Sequence, residues 1–376
     1  MLNNYGNWCP EIYRGMFVDR INDDHIRVAP CCQAESSIEL IDGFDFNTSP
    51  HLSKLRQEFN NNKQPIACNK CWEVEKIGHK SRRQSAIEFF DISFPNTNVV
   101  LEGLDHSATW ACNLACIMCG PSNSSLWASQ NNLSKQELFH LGRQFQKSNN
   151  FLEKIDVTQI KKLHFNGGEP MLNNDQTALL LKLEEQDVLK NAFISYNTNG
   201  TVMPSKQIIK LWSKTRLVKL FFSIDAVGPA FEYIRWPGNW EQTSKNILDM
   251  KANLPSNVMF GFNSTVGGYN ILEMPDVYHW FTQNLKHNKE GDRSDFCWQF
   301  ANNFDPKHLS STIKMQAIKQ LEPITELGGI VNYLKLTMNF PENLSWAAQL
   351  NDIDCKRNTN WKTALKIAQF IKESHC

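Results

Sequence analysis

An α/β fold built on a parallel sheet, open or closed into a barrel, is what this sequence predicts, and three observations carry the prediction. From Val99 onward, short β-prone runs alternate with stretches whose apolar residues recur at three- and four-residue steps. Each sharp polar motif falls just after one of those runs, at the carboxyl ends of strands where such folds collect their ligands. The first 92 residues break the pattern, with five of the eleven cysteines and only short apolar pieces.

Taken in order, Ile26-Arg-Val-Ala-Pro30 and Ile38-Glu-Leu-Ile41 are separated by Gly43, Pro50 and the polar run Asn60 to Pro65. They predict a hairpin and a helix or two with little core, so this segment needs a staple that its cysteines can supply. Pro95-Asn-Thr-Asn98 reads as a connector. Strands are predicted at Val99–Leu101, Ile160–Phe165, Ala192–Tyr196, Leu217–Ile224, Val258–Phe262 and Phe296–Phe300, with Asn263 and Ser264 ending the fifth. Helical spacing falls at Ala178–Leu189, Ile208–Trp212, Ile247–Met250 and Val277–Phe281. Beyond about residue 302 the chain reads as mainly helical, with Leu309–Leu321 and Trp361–Ile371 as candidates. The expected division is therefore 1–92, 93–301 and 302–376.

Composition narrows the function classes. With 376 residues and 41% hydrophobic content the chain can bury a sizeable core. Lys plus Arg and Asp plus Glu are 39 each, so there is no basic field to hold a phosphate backbone, and nucleic acid is not an expected partner. No run of 18 apolar residues and no signal peptide is present, so no membrane association is expected and the chain reads as cytoplasmic. An odd number of cysteines in a reducing compartment points to metal ligation rather than a disulfide framework. Cys297, Cys355 and Cys376 stand alone and read as small buried hydrophobes or incidental surface thiols.

Cys112, Cys116 and Cys119 form a C-x3-C-x2-C loop. Three thiolates leave one iron of a cubane cluster open to bind and reduce something. After the second predicted strand comes Gly167-Gly168-Glu169-Pro170, where paired glycines let the backbone approach a ligand closely. Asn199 follows the third strand, and Ser223 and Asp225 end the fourth.

These ordered motifs resemble the radical S-adenosylmethionine (SAM) superfamily over roughly residues 98 to 300, which implies a partial (β/α)6 TIM-type barrel. The resemblance implies a [4Fe-4S] cluster on Cys112, Cys116 and Cys119 whose open iron chelates SAM. Reductive cleavage then gives methionine and a 5′-deoxyadenosyl radical that abstracts hydrogen from substrate. It implies that Glu169 accepts from the SAM amino group, that Ser223 and Asp225 meet the ribose, and that Asn199 serves the ribose or adenine. Arg235 matches an arginine that pairs with the SAM carboxylate, against the plainer reading of a solvated helix residue. Met118 stands where many members carry an aromatic residue against the adenine, and its thioether can cover a purine face.

Cys9, Cys31, Cys68 and Cys71, with Gly78, Ser81 and Arg82 beyond, are similar to the twitch or SPASM modules that hold an auxiliary [4Fe-4S] cluster. Here the module precedes the barrel. Cys32 is the alternative to Cys31, and the C-x2-C spacing also suits a zinc ribbon. Such modules accompany enzymes that act on peptides, so the resemblance implies hydrogen abstraction from a peptide substrate: epimerisation, crosslinking or excision in ribosomal peptide maturation. A separate leader-recognition protein and a flavodoxin- or ferredoxin-type reductant are the other partners implied. The alternatives are a dehydrogenase or epimerase of a sugar or other small molecule, and a non-catalytic electron relay. Cys297, in the sixth strand, is either a hydrogen donor facing the barrel interior or a buried packing cysteine.

Overall fold

The computed structural model describes residues 6–21, 24–76, 78, 80–90, 96–107, 110–140, 151, 155–173, 175–286 and 295–371. Pro95 and Cys376 lie outside them. The chain packs as two compact units, one of Met1–Ala111, Asn132–Tyr196 and Pro204–Val218, the other of Cys112–Asn131, Asn197–Met203 and Lys219–Cys376.

The predicted α/β class is the observed one. In the first unit β1 (Gly15–Arg20), β2 (His25–Ala29), β3 (Ser37–Leu40), β4 (Gly103–Ser107), β5 (Lys162–Asn166) and β6 (Phe193–Thr198) line up as β3-β2-β1-β4-β5-β6. The β1–β2 and β2–β3 pairs are antiparallel, and β1–β4, β4–β5 and β5–β6 are parallel. The N-terminal segment thus extends the parallel sheet. Its small core gathers Trp8, Ile12, Tyr13, Leu55, Phe59, Trp72 and Ile87 beside Cys9, with Leu55 and Phe59 on the helix Pro50–Asn60 and Trp72 on Asn69–Lys76.

The first barrel strand lies later than Val99–Leu101. That stretch is extended but outside the ladder, with Val100 N and Glu102 N donating to Tyr13 O and Arg14 O at 3.0 and 2.9 Å. The strand is the polar Gly-Leu-Asp-His-Ser of β4, buried at all five positions. Register explains why polar residues belong there. Asp105 on β4, His164 on β5 and Ser195 on β6 form one row, and His164 Nδ1 lies 2.8 Å from Ser195 Oγ. The alternate row, Val18, His106, Phe165 and Tyr196, includes the stack of Phe165 on Tyr196 at 4.9 Å. Tyr196 Oη in turn accepts from Trp212 Nε1 at 3.0 Å, on the helix Lys206–Trp212.

Burial depresses both histidines from 6.5 to about 4. Neither ring nitrogen of His106 has a hydrogen-bond partner among the described residues. A folded state that keeps an imidazole neutral binds fewer protons than the unfolded chain between those two values, so stability rises with pH there. The contribution is full above about pH 6.5 and is lost as pH falls toward 4, at about 3 kcal/mol per histidine. A urea midpoint that drops between about pH 7.5 and 5, and drops less in His106→Leu, is the expected result; equal drops in the two proteins would remove His106 from the account.

In sequence β7 (Leu217–Phe222) leads into the second unit, where β8 (Val258–Val266) and β9 (Asp295–Phe300) pair in parallel, from Gly261 opposite Asp295 to Val266 opposite Phe300. Because β8 runs to Val266, Asn263 and Ser264 lie within the strand rather than at its end. Phe262 stacks on Trp280 of the helix Met274–Asn284 at 5.6 Å between ring centres. The C-terminal region is helical as expected, with Ser311–Leu321, Gly328–Leu336, Ser345–Arg357 and Trp361–Ala364, the last followed by a 3-10 turn over Lys366–Phe370. Among the described residues no helix is long and apolar enough to cross a membrane.

Candidate functional site

The C-x3-C-x2-C loop belongs to the second unit, and its backbone is tied down at nearly every residue. Ala115 N and Ile117 N donate to Trp236 O (2.7 Å) and Ile234 O (2.9 Å), and Cys119 N donates to Cys116 O at 3.0 Å. Cys112 N donates to Ser125 Oγ at 3.1 Å, and Ser124 Oγ donates to Leu114 O at 2.5 Å. From the C-terminal helix Ser345–Arg357, Arg357 Nη2 donates to Ala115 O at 2.6 Å, while its guanidinium lies 5.2 Å from the Trp236 ring centre. Asn113, between the first two cysteines, exchanges bonds with the stretch after β6. Asn199 Nδ2 donates to Asn113 Oδ1 (3.0 Å), and Asn113 Nδ2 donates to Thr201 Oγ1 (2.8 Å). A loop fixed through its main chain presents its thiols in a set geometry.

Arg235 is buried, not solvated. Its Nη2 pairs with Asp225 Oδ2 at 2.6 Å, both side chains being under 10% exposed, and its Nη1 donates to Cys116 Sγ at 3.7 Å. Asp225 Oδ1 also accepts from Thr265 N at 2.6 Å. A hydrogen bond from Cys119 and the positive charge of Arg235 hold the Cys116 thiol below its ordinary value, while that same bond and burial hold Cys119 well above its own, so it is the Arg235 charge that favours the thiolate form of both. Arg235 Nε and the fully buried Tyr269 hydroxyl have no hydrogen-bond partner among the described residues, and Tyr269 is near enough to interact electrostatically with Cys116 and Cys119. Orphaned donors beside a cysteine triad fit a bound group that carries acceptor atoms.

Of the other expected SAM contacts, Asn199 is buried and its Oδ1 accepts from Thr201 N and Oγ1 at 2.9 and 2.6 Å, so it braces the cysteine loop. Ser223 and Met118 are half-buried, and Ser223 N donates to Thr198 O at 2.8 Å. Cys297 is exposed on β9, opposite Asn263.

Gly167, Gly168 and Glu169 lie in the first unit, and the glycines are required by the chain itself. Gly167 has φ of 122°. A Cβ on Gly168 would sit 2.2 Å from Ala111 O, so this glycine makes room for the segment leading to Cys112. Glu169 N donates to that same Ala111 O at 2.8 Å. The Glu169 side chain is fully buried and accepts from Met171 N at 3.0 Å, capping the turn Pro170–Leu172.

In the first unit, Cys9, Cys31, Cys68 and Cys71 all line one cavity, with Glu11, Trp72, Arg82 and Arg83 also in its wall. Cys32 does not line it. Burial pushes the Cys31 thiol up to about 11 and Cys68 up to about 12, and Cys9 also stands well above its ordinary value. Among the described residues no three His, Cys, Asp or Glu side chains converge where a single metal ion would sit. A cubane takes each thiolate at a different corner, so thiols ringing a cavity fit one.

Sequence reasoning missed Asn113, Tyr269 and Arg357 altogether. Arg357 sits 242 residues from the carbonyl it binds, and nothing in the local sequence marks the pair.

The family model of the Radical SAM superfamily matches residues 107–281. GTP 3′,8-cyclase from Clostridium acetobutylicum is 28% identical over 173 residues, which are 45% of this chain and 49% of that protein. The chain spans about half the length of the curated relatives it matches. Two solved structures are also similar. Native anSMEcpe with bound AdoMet is 18% identical, covering 59% of this chain and 59% of that one with a TM-score of 0.40. Streptococcus suis SuiB bound to S-adenosylmethionine is 12% identical, covering 82% and 70% with a TM-score of 0.40.

Proposed function

We propose that this chain, whose residues 107–281 match the family model of the Radical SAM superfamily, is a radical SAM enzyme that uses a cluster on Cys112, Cys116 and Cys119 to abstract hydrogen from a peptide, in the maturation of a ribosomally made precursor. When bound, the cluster and SAM supply a one-electron cleavage of a carbon–sulfur bond that delivers a carbon-centred radical. The protein's part is to position and to shield. Arg235 favours the Cys116 thiolate and, held by Asp225, keeps Nε for an acceptor. Tyr269 offers its hydroxyl from the same buried surroundings. Trp236 and Arg357 hold the loop's main chain and Asn199 holds the Asn113 side chain, so that the thiols do not reorganise when the group binds.

The cysteine-lined cavity of the first unit carries the peptide reading. It supports a second [4Fe-4S] cluster on Cys9, Cys31, Cys68 and Cys71, with Cys31 rather than Cys32 as ligand, and modules of that kind accompany peptide-modifying enzymes. A cluster closed by four thiolates orders the small N-terminal core and relays an electron. Reducing equivalents come from a flavodoxin- or ferredoxin-type protein, and a separate leader-recognition protein presents the precursor.

The similarity to GTP 3′,8-cyclases favours a second reading, a small-molecule substrate such as a nucleotide. Reconstituted protein, SAM and reductant, incubated with precursor peptides encoded near the gene or with GTP, separate the two. Faster 5′-deoxyadenosine formation with a peptide, together with a mass change in it, is the expected outcome. Stimulation by GTP alone would transfer the assignment to the second reading, and absence of any SAM cleavage would leave only an electron-relay protein.

A further inference from the structure

We propose that Arg82 sets the reduction potential of the cluster held by Cys9, Cys31, Cys68 and Cys71 and fixes which member of the Cys31–Cys32 pair reaches it, an inference that rests on the auxiliary-cluster reading above. Ser81 caps the helix Arg82–Phe89 through a reciprocal bond with Gln84, and Ser81 Oγ donates to Glu75 Oε1 at 2.6 Å. That cap places Arg82 at the first helical position, in the wall of the cysteine cavity. From there Nη1 donates to Cys32 Sγ at 3.4 Å. Nη2 pairs with Asp105 at 2.7 Å and with Glu11 at 3.2 Å. Arg82 Nε has no hydrogen-bond partner among the described residues.

The wall also holds Arg83, which pairs with Glu75 at 2.7 Å, and the Arg82 side chain is 21% exposed. Both carboxylate side chains that Arg82 meets are 4 to 5% exposed, and Lys162 reaches only Glu11, at 3.5 Å. Arg82 is therefore the cation in direct contact with Asp105, and Asp105 also accepts from Cys32 N at 3.3 Å. Arg82 and Asp105 together grip both the main chain and the thiol of Cys32, which leaves Cys31 to face the cavity. Adding an electron to a cluster adds negative charge, and a guanidinium in the wall of a poorly solvated cavity favours that state. Removing the cation leaves Asp105 unbalanced and favours the oxidised state. Removing Asp105 instead frees the guanidinium and shifts the balance the other way.

The test uses the full chain with Cys112, Cys116 and Cys119 replaced by alanine, so that only the N-terminal cluster remains, titrated anaerobically with dithionite and followed by electron paramagnetic resonance. Arg82→Gln is expected to lower the reduction equilibrium constant at least tenfold, about 59 mV for one electron. Asp105→Asn is expected to raise it, and Arg82→Lys, which keeps the charge but not the fork, to fall between parent and Arg82→Gln. A purely structural role would not move the two potentials in opposite directions, and Asp105→Asn decides the matter should Arg82→Gln fail to fold. A parent with about four irons whose potential is unmoved in these variants overturns the inference alone. A parent without iron overturns the cluster reading, and this inference with it.

Discussion

Replacing Cys112, Cys116 and Cys119 together by alanine will lower the iron content of anaerobically reconstituted protein from about eight to about four per chain and abolish SAM cleavage. On the proposed reading activity loss and cluster loss coincide, because the open iron would belong to this loop while the N-terminal thiols are left untouched in their own cavity. Iron and sulfide analysis alongside 5′-deoxyadenosine quantification checks both halves. A parent with about four irons and one zinc would support a zinc ribbon in the first unit. An iron content unchanged by the triple substitution would remove the loop from the chemistry altogether.

The second large effect is expected at Arg235. Its ion pair with Asp225 is closed to water, and breaking such a pair by deleting one partner leaves an uncompensated charge, costing about 3–5 kcal/mol. Arg235→Leu should therefore lower the denaturation midpoint sharply. Replacing both residues by leucine should recover much of the loss, because no lone charge remains. The two proteins differ in what they say about function, since neither keeps a donor beside Cys116. Recovery of stability in the double variant without recovery of SAM binding would separate the pair's structural share from its share in the site. If Arg235→Leu unfolds at the parent's midpoint, the buried-pair account is wrong.

Some of this is legible in the residues themselves. The cysteine triad, Gly167-Gly168-Glu169 and the pair Cys68 and Cys71 are local patterns, and local patterns survive without coordinates. Strands rich in Val, Ile and Phe, such as β7, are also readable. The polar strand β4 is not, because Asp105, His106 and Ser107 are stabilised by neighbours that only the folded sheet supplies. Gly168 reads in sequence as a berth for a ligand, whereas its missing side chain admits the carbonyl of Ala111, 57 positions earlier in the chain. Charge pairs are the hardest to see. Arg82 meets a carboxylate 71 residues away and Arg357 a carbonyl 242 residues away, and neither spacing leaves a periodic trace.

The clamp from Arg357 onto Ala115 also imposes an order of events on biosynthesis. A ribosome adding roughly 5–20 residues per second needs roughly 10–50 s to travel from one to the other. For that interval the cysteine loop is already made but lacks its last tether.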